Sequence, residues 1–211
     1  MIRKLILKAL NLPTAISVRF SPVVNRLRLR LSGVKTGGSV ILLGRPYLLV
    51  GGGKMAIGDD FYMTNGHGIN PLGGNDRGAF YTEPGATITI GDHVGMSGTR
   101  MWIAKSLTIG NNVNIGAGVL IMDTDCHQMD YRMRRHDAAE HFSQEILHNA
   151  VQSEPIVIED DVWIGAGAMV LKGVTIGARS IIGAGSVVTK SIPADCVAAG
   201  NPAKVIKHLN Q

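Results

Sequence analysis

The sequence predicts an all-β protein built as a parallel β-helix, with an extruded loop, an N-terminal arm and a short C-terminal helix. Three observations carry this. Isoleucine or valine returns every six residues at Ile158, Ile164, Val170, Ile176, Ile182 and Val188. Four places further on stands a small or β-branched residue: Val162, Ala168, Val174, Ser180, Ser186 and Ile192. Glycines, 27 in all, follow many of the periodic aliphatics as Ile-Gly pairs. A six-residue period fits neither the 3.6 of a helix nor the 2 of a simple strand. It fits short flat strands that coil so that one aliphatic per strand points inward.

The elements follow in order. Residues 1–31 form a basic arm, read as helical or irregular, and the β-helix domain occupies 32–211. Irregular coils at 32–56 lead into the repeat, which opens at Ile57-Gly58. Ile90-Gly91 stands 19 residues before Ile109, three units plus one extra residue, and Ile109, Ile115 and Ile121 hold the phase. A Gly-rich excursion at 66–80 lacks both the Walker and the dinucleotide spacing, so it is no phosphate loop. From Ile121 to Ile158 the step is 37, which extrudes 128–155 as a loop, with a helical piece expected around DAAEHFSQEILHNA. Residues 156–193 are the most regular coils, and 194–211 give a closing turn and a short terminal helix.

Length allows one domain with a sizeable core, here a column of aliphatics that suits 5% aromatic content. Cys126 and Cys196 are 70 residues apart and form no metal or redox motif, as expected of free thiols in a reducing compartment. The net charge of +5 is local. The arm holds seven cations and no acid, while the other 180 residues hold 14 basic and 16 acidic side chains. That distribution argues against a general nucleic-acid binder. No run approaches the ~18 apolar residues of a membrane span, and the arm makes a poor secretory signal. A cytoplasmic protein is expected. The arm's Ile2, Leu5, Ile6, Leu7, Leu10 and Leu12, beside its cations, leave two readings open. It packs along the coil, or it attaches peripherally to anionic lipid at the inner face of a membrane.

Among residues that could carry chemistry, His127 ends the segment IMDTDCHQ, where the coil departs into the loop. With Asp123 and Asp125 nearby, such a histidine can act as a general base oriented by a carboxylate, or simply cap the loop. Cys126 beside it is read as packing, since adjacent side chains of extended chain point to opposite faces. His136, His141 and His148 raise a zinc site, but all three fall in the extruded loop, and a solvated loop with no metal is the reading adopted. Trp163, one residue before an inward position, offers a stacking surface for a planar group or packs on the loop. Lys172, Lys190, Lys204 and Lys207 gather toward the C-terminal coils, where several cations together could receive phosphates.

The stretches DVWIGAGA, GVTIG, IGAGSVVTK and AAGNPAKVI, with IGNNVNIGAGVLIMDTDCHQ before them, resemble hexapeptide-repeat acetyltransferases. The likeness is to the maltose and galactoside O-acetyltransferases and, more closely, to sugar acyltransferases of exopolysaccharide, capsule and O-antigen. It covers roughly residues 88–127 and 156–209. It implies a left-handed coil, a homotrimer with active sites between subunits, and acetyl-CoA as donor. It also implies His127 as the catalytic base, for which the neighbouring Asp125 is the candidate orienting group. The galactoside enzymes have their histidine directly after Thr-Gly; here Thr124-Asp125-Cys126-His127 is one residue longer. The implied acetyl-CoA contacts are Trp163, Ala166, Ala184, Thr189, Lys190, Lys204 and Lys207. Lys204 and Lys207 stand where those enzymes carry arginines, so phosphate attraction is kept without a bidentate fork. The acceptor-side asparagine maps near Thr64 and Asn65, with Asn65 as the candidate. The implied function is transfer of acetyl to a sugar hydroxyl in surface-polysaccharide synthesis. The alternatives are an N-acetyltransferase on an amino sugar, a zinc-dependent hydratase of the γ-carbonic-anhydrase type, and a non-catalytic scaffold.

Overall fold

The computed structural model describes residues 18–66, 69, 70, 72, 77–139 and 151–209. A helix, α1, covers 18–31, and twenty strands, β1 to β20 in chain order, form three stacked sheets. Sheet A stacks β1 (Lys35–Thr36), β4 (Lys54–Ile57), β7 (Thr87–Ile90), β10 (Ser106–Ile109), β13 (Ile156–Ile158) and β16 (Thr175–Ile176). Sheet B stacks β2 (Val40–Leu43), β5 (Phe61–Thr64), β8 (Gly95–Ser97), β11 (Asn114–Ile115), β14 (Trp163–Ile164), β17 (Ile181–Ile182), β19 (Cys196–Gly200) and β20 (Ala203–His208). Sheet C runs from β3 (Tyr47–Val50) through β6 (Ala79–Thr82), β9 (Arg100–Ile103), β12 (Leu120–Met122) and β15 (Met169–Leu171) to β18 (Val187–Val188). All pairings but the last, β19 with β20, are parallel, so each turn of chain visits A, B and C and lands on the turn before it. This is a parallel β-helix.

The hydrophobic period dictates the column. Ile158, Ile164, Val170, Ile176, Ile182 and Val188 are all buried, as are Val162, Ala168, Val174, Ser180, Ser186 and Ile192. Ile109, Ile115 and Ile121 extend the stack below. A second regularity is in the backbone. Three residues after the inward aliphatic of sheet A the chain takes positive φ, at Asp60, His93, Asn112, Asp161, Arg179 and Asp195. Mostly these are the residue types that tolerate the left-handed region. Arg179 is not, and its guanidinium is held by Asp195 through Nε at 2.6 Å and Nη2 at 2.7 Å. At the B-to-C corners glycine is needed for closeness. A Cβ on Gly116 would stand 2.5 Å from the Ala166 amide nitrogen, and one on Gly165 2.5 Å from that of Ala184.

The extra residue between Ile90 and Ile109 is absorbed between sheets C and A. Met96 to Met101 takes five residues and Met101 to Ile109 takes eight, two more than the repeat. The amides of Ala104, Lys105 and Ser106 at this wider corner donate to the buried carboxylate of Asp123 at 2.7, 2.7 and 2.8 Å.

Two expectations change. No terminal helix forms within 194–209; Ala203–His208 folds back as β20 on β19, antiparallel, and covers the open edge of sheet B. The apolar β-branched Val205 and Ile206 favour strand, and an edge strand leaves amides that the hairpin satisfies. In the loop, α2 spans Tyr131–Ala139, earlier than expected, and the remainder of the expected helical piece lies outside the described residues.

Truncating an inward residue should leave a void in this column. Ile164→Ala is expected to lower unfolding free energy by ~2–5 kcal/mol. Ile181→Ala, which points outward on the next coil, should cost less than half as much. Urea titrations followed by circular dichroism check both.

Candidate active site

The corner between sheets C and A organises the candidate site. Ile121, Val170 and Val188 are register partners on successive coils, so Asp123, Lys172 and Lys190, each two residues later, rise in one column. Lys172 and Lys190 therefore stand one and two strand spacings beyond Asp123, about 5 and 10 Å along the axis. On the opposite side, Phe80 and Met101 precede Ile121 in the same register. That places Glu83 at the same corner, two coils toward the N-terminus. The chain leaves the column at this corner after Met122 and re-enters at Ile156.

Its two stems are stitched together. Thr124 and Ser153 form an antiparallel bridge. The Asp125 amide donates to the Gln152 carbonyl at 3.1 Å, and the Glu154 amide to the Asp123 carbonyl at 2.9 Å. Lys172 spans both stems, with Nζ 3.0 Å from Asp125 Oδ2 and 3.2 Å from Gln152 Oε1. Cys126 then takes φ of +60°, its amide donating to Thr124 Oγ1 at 3.2 Å, and His127 emerges exposed. Asp125, expected to orient the His127 ring, has Lys172 as its described partner and so serves to hold the stem. Cys126 is no nucleophile in waiting. Burial, and then the charges of Glu83, Asp125 and Asp123, push its thiol pKa up and disfavour the thiolate. Burial also raises the Asp123 pKa, against three amides that lower it, with Glu83 adding to the rise.

The other expected residues sort by face. Ala166 and Ala184 stack at the B-to-C corner, where the Gly185 amide donates to the Ala166 carbonyl at 2.8 Å. Thr189 and Lys190 are exposed at the C-to-A corner, so these four flank the last strands of sheet C. Trp163 projects from sheet B between Asn114 and Ile181, 54% exposed. Lys204 and Lys207 are exposed on β20, opposite Ala199 and Val197. One chain thus does not gather the whole set on a single face. Asn65 is a correction. It is buried, its Nδ2 donates to the Leu43 carbonyl at 3.2 Å and its Oδ1 accepts the Gly78 amide at 3.0 Å. Its side chain clips the stem of the 66–80 excursion and has no face for an acceptor. Of the loop histidines, His136 falls on the α2 backbone, while His141 and His148 lie outside the described residues. Among the described residues no group of three metal-ligating side chains converges.

Three residues, Trp102, Glu83 and Tyr81, were not singled out from sequence. Trp102, partly exposed, lies beneath Met122 in the outward row of sheet C, and its Nε1 donates to Glu83 Oε1 at 2.9 Å. Tyr81, its register neighbour, meets the indole edge-on with centroids 4.7 Å apart. The six-residue phase already put Trp102 outward, beside an inward Met101, but nothing in the local sequence marks its closeness to the loop stem.

Comparison with known proteins agrees with this architecture. Residues 155–190 match the model of bacterial transferase hexapeptide repeats. Over 105 residues the chain is 40% identical to a galactoside O-acetyltransferase of Escherichia coli, covering 50% of this chain and 45% of that one. Over 104 residues it is 37% identical to a 2,3,4,5-tetrahydropyridine-2,6-dicarboxylate N-acetyltransferase of Staphylococcus aureus, covering 49% and 34%. The chain spans about half the length of the curated relatives it matches. Its fold is shared with AntD, an N-acyltransferase from Bacillus cereus crystallised with dTDP and 3-hydroxybutyryl-CoA. There the TM-score is 0.64 at 16% identity, over 88% of both chains.

Removing the Lys172 cation should free the loop stems without unmaking the column. Lys172→Met is expected to speed tryptic cleavage at Arg132, Arg134 and Arg135 severalfold, while the thermal midpoint moves by only a few degrees. Peptide mapping by mass spectrometry against a melting curve separates the two effects.

Proposed function

We propose that this chain is an acetyl-CoA-dependent O-acetyltransferase acting on a sugar hydroxyl, with His127 as general base. The observation that carries the reading is the corner column. A histidine emerges at its middle, two cations stand on the C-terminal side, and a carboxylate with an indole stands on the N-terminal side. Lys190, with Thr189, Ala166 and Ala184, borders the donor's expected place, where ammonium groups attract the phosphates of CoA. His127 takes the proton of the acceptor hydroxyl as its oxygen attacks the thioester carbonyl. The tetrahedral oxyanion then collapses with release of the CoA thiol. A positioned base contributes ~10²–10⁴-fold, and alignment of the reactants in a cleft supplies much of the rest.

The galactoside O-acetyltransferase relative supports a sugar as acceptor, and the reading extends to surface-polysaccharide synthesis in the cytoplasm. Trp163, Lys204 and Lys207 lie on a different face from Ala184 and Lys190. A left-handed column in a homotrimer, with one chain's sheet B facing its neighbour's sheet C, would bring them to one cleft. The similarity to an N-acetyltransferase keeps a second reading in play, an amino-sugar acceptor. An acceptor panel of neutral sugars, amino sugars and nucleotide-linked sugars, scored by CoA release, decides between hydroxyl and amine. CoA release with none of them would remove both.

His127→Ala should lower kcat at least a hundredfold and leave acetyl-CoA affinity nearly unchanged, whereas Lys204→Ala with Lys207→Ala should raise the KM for acetyl-CoA. Steady-state kinetics with each substrate varied in turn distinguishes them.

With the donor on the side of Lys190, the acceptor approaches from the side of Trp102 and Glu83. The apolar face of a sugar ring suits an indole, and a carboxylate accepts its hydroxyls. Trp102→Ala should raise the acceptor KM about tenfold or more with the acetyl-CoA KM unchanged, and Trp102→Phe should restore most of the loss. The same initial-rate measurements read this directly; a rise confined to acetyl-CoA would reverse the assignment of sides.

A further inference from the structure

The helix α1 is amphipathic the wrong way round for a helix that only packs. Its inner face is largely polar. Asn25 Nδ2 donates to the carbonyls of Leu42 and Gly44 at 2.9 and 2.6 Å, and Ser21 Oγ accepts the Gly44 amide at 3.0 Å. Only Leu29 on this face is a fully buried aliphatic. These bonds seat the helix across the turn between β2 and β3, at the N-terminal end of the column. At 100° per residue, Ser21, Asn25 and Leu29 fall on one line. Phe20, Val23, Val24, Leu27 and Leu31 then fall on the opposite side of the cylinder. Those five are 59%, 73%, 48%, 57% and 79% exposed. Their spacing of three, four and seven residues makes one continuous stripe about 16 Å long.

A third line completes the helix. Arg19, Arg26 and Arg30 are exposed and project from one flank between the two faces. On the other flank Arg28 is tied down, with Nη2 donating to the Pro46 carbonyl at 3.0 Å and Nη1 to Asn25 Oδ1 at 3.0 Å. No acidic residue occurs in 18–31, or anywhere in the first 31 residues. Exposed apolar side chains set singly are ordinary, but a stripe of five on one helix is a contact surface.

We propose that α1 docks this protein on an anionic lipid surface, its apolar stripe sinking among the acyl chains and the row Arg19, Arg26 and Arg30 lying among the phosphates. The charge pattern selects this occupant. If two copies paired stripe to stripe, arginines would line both sides of the seam with no acid on either helix to neutralise them. A leaflet carrying phosphate headgroups supplies both the apolar depth and the negative charge, in the arrangement of interfacial amphipathic helices. No described helix is long and apolar enough to cross a membrane, so the contact is along the surface. Because α1 is seated by hydrogen bonds to the turn at 42–46, docking would hold the column end-on to the lipid. The His127 corner would then stand several coils above it.

Co-sedimentation of the full chain with vesicles tests this. Vesicles of phosphatidylcholine containing phosphatidylglycerol should pull the protein down at low salt, and phosphatidylcholine alone should not. Replacing Arg19, Arg26 and Arg30 with glutamine should weaken partitioning at least tenfold. So should Val23→Ser with Leu27→Ser, positions at which exposure makes folding insensitive to the change. Light scattering on the same samples should report one unchanged mass in solution. The proposal is overturned if the full chain stays in the supernatant with anionic vesicles, or if the serine variant binds as well as the parent. It is equally overturned if that variant's mass falls, since a second copy would then be the occupant.

Discussion

Everything in this molecule depends on the parallel register between successive coils. Each backbone amide of a strand donates to the coil beneath or above it, and each inward aliphatic lands on its equivalent one coil away. Ile109, Ile158 and Ile176 are such partners in sheet A, and Ile115, Ile164 and Ile182 in sheet B. No inward side chain of these regular coils is large, and none needs to be, since the column is narrow and filled by one aliphatic per strand. The corner chemistry repeats for the same reason. The Asp59 amide donates to Asp92 Oδ1, that of Asp92 to Asn111 Oδ1, and that of Asn111 to Asp160 Oδ1, each coil's side chain serving the coil before.

That register also arranges the chemistry. A position two residues past an inward aliphatic of sheet C reappears at the same corner on every coil. The residues found there are a carboxylate, then an ammonium, then another ammonium: Asp123, Lys172, Lys190. A gradient of charge along the axis results from choosing residues at one phase of the repeat. The loop leaves the column at the point where the sign changes, and Lys172 neutralises Asp125 while tying the returning chain to the outgoing one. The exposed His127 thus stands on a stem fixed by the column, although the loop beyond it is long. The stem's own contacts are made by backbone and by a cation from the next coil.

How much of this was legible in the sequence follows from which interactions are periodic. The buried column was readable because β-branched aliphatics spaced six apart suit a coiled strand and neither a helix nor a simple strand. The departure of the loop was readable as a gap in the phase. What repeats at no period was not. The fold-back of Ala203–His208 was expected as helix, because a short segment of mixed apolar and basic residues carries no period that separates helix from strand. The exposed edge of β19 decided it. Asn65 matched an acceptor-side asparagine in sequence, yet its amide is consumed by Leu43 and Gly78, contacts 22 and 13 residues away. Asp125 stood next but one to His127, but Lys172, 47 positions on, reached it through the stacking of coils. Trp102 and Glu83 came together by the same stacking. The orientation of α1 was hidden for a different reason. Its sequence shows an amphipathic pattern, and only the hydrogen bonds of Ser21 and Asn25 reveal that the apolar side faces away.

The left-handed residues at the A-to-B corners set a rule for how such a chain can change length. Six of them stand three places past an inward aliphatic, and five of the six, from His93 to Asp195, donate a backbone bond to the coil before, as Asn112 does to Asp92 and Asp161 to Asn111. Adding or removing a single residue on that side of the coil would put a side chain of the wrong kind at positive φ and turn an aliphatic outward. The C-to-A corner is not so tied. It absorbs two extra residues at 104–106 and the whole of the loop beyond Asp123. The B-to-C edge gives way as well, at the 66–80 excursion between β5 and β6, so insertions and deletions in related chains should accumulate along these two edges of the prism, or come as complete turns of the coil. His127 emerges from one of these free edges, so the segment that follows it can change in length while the column stays in phase.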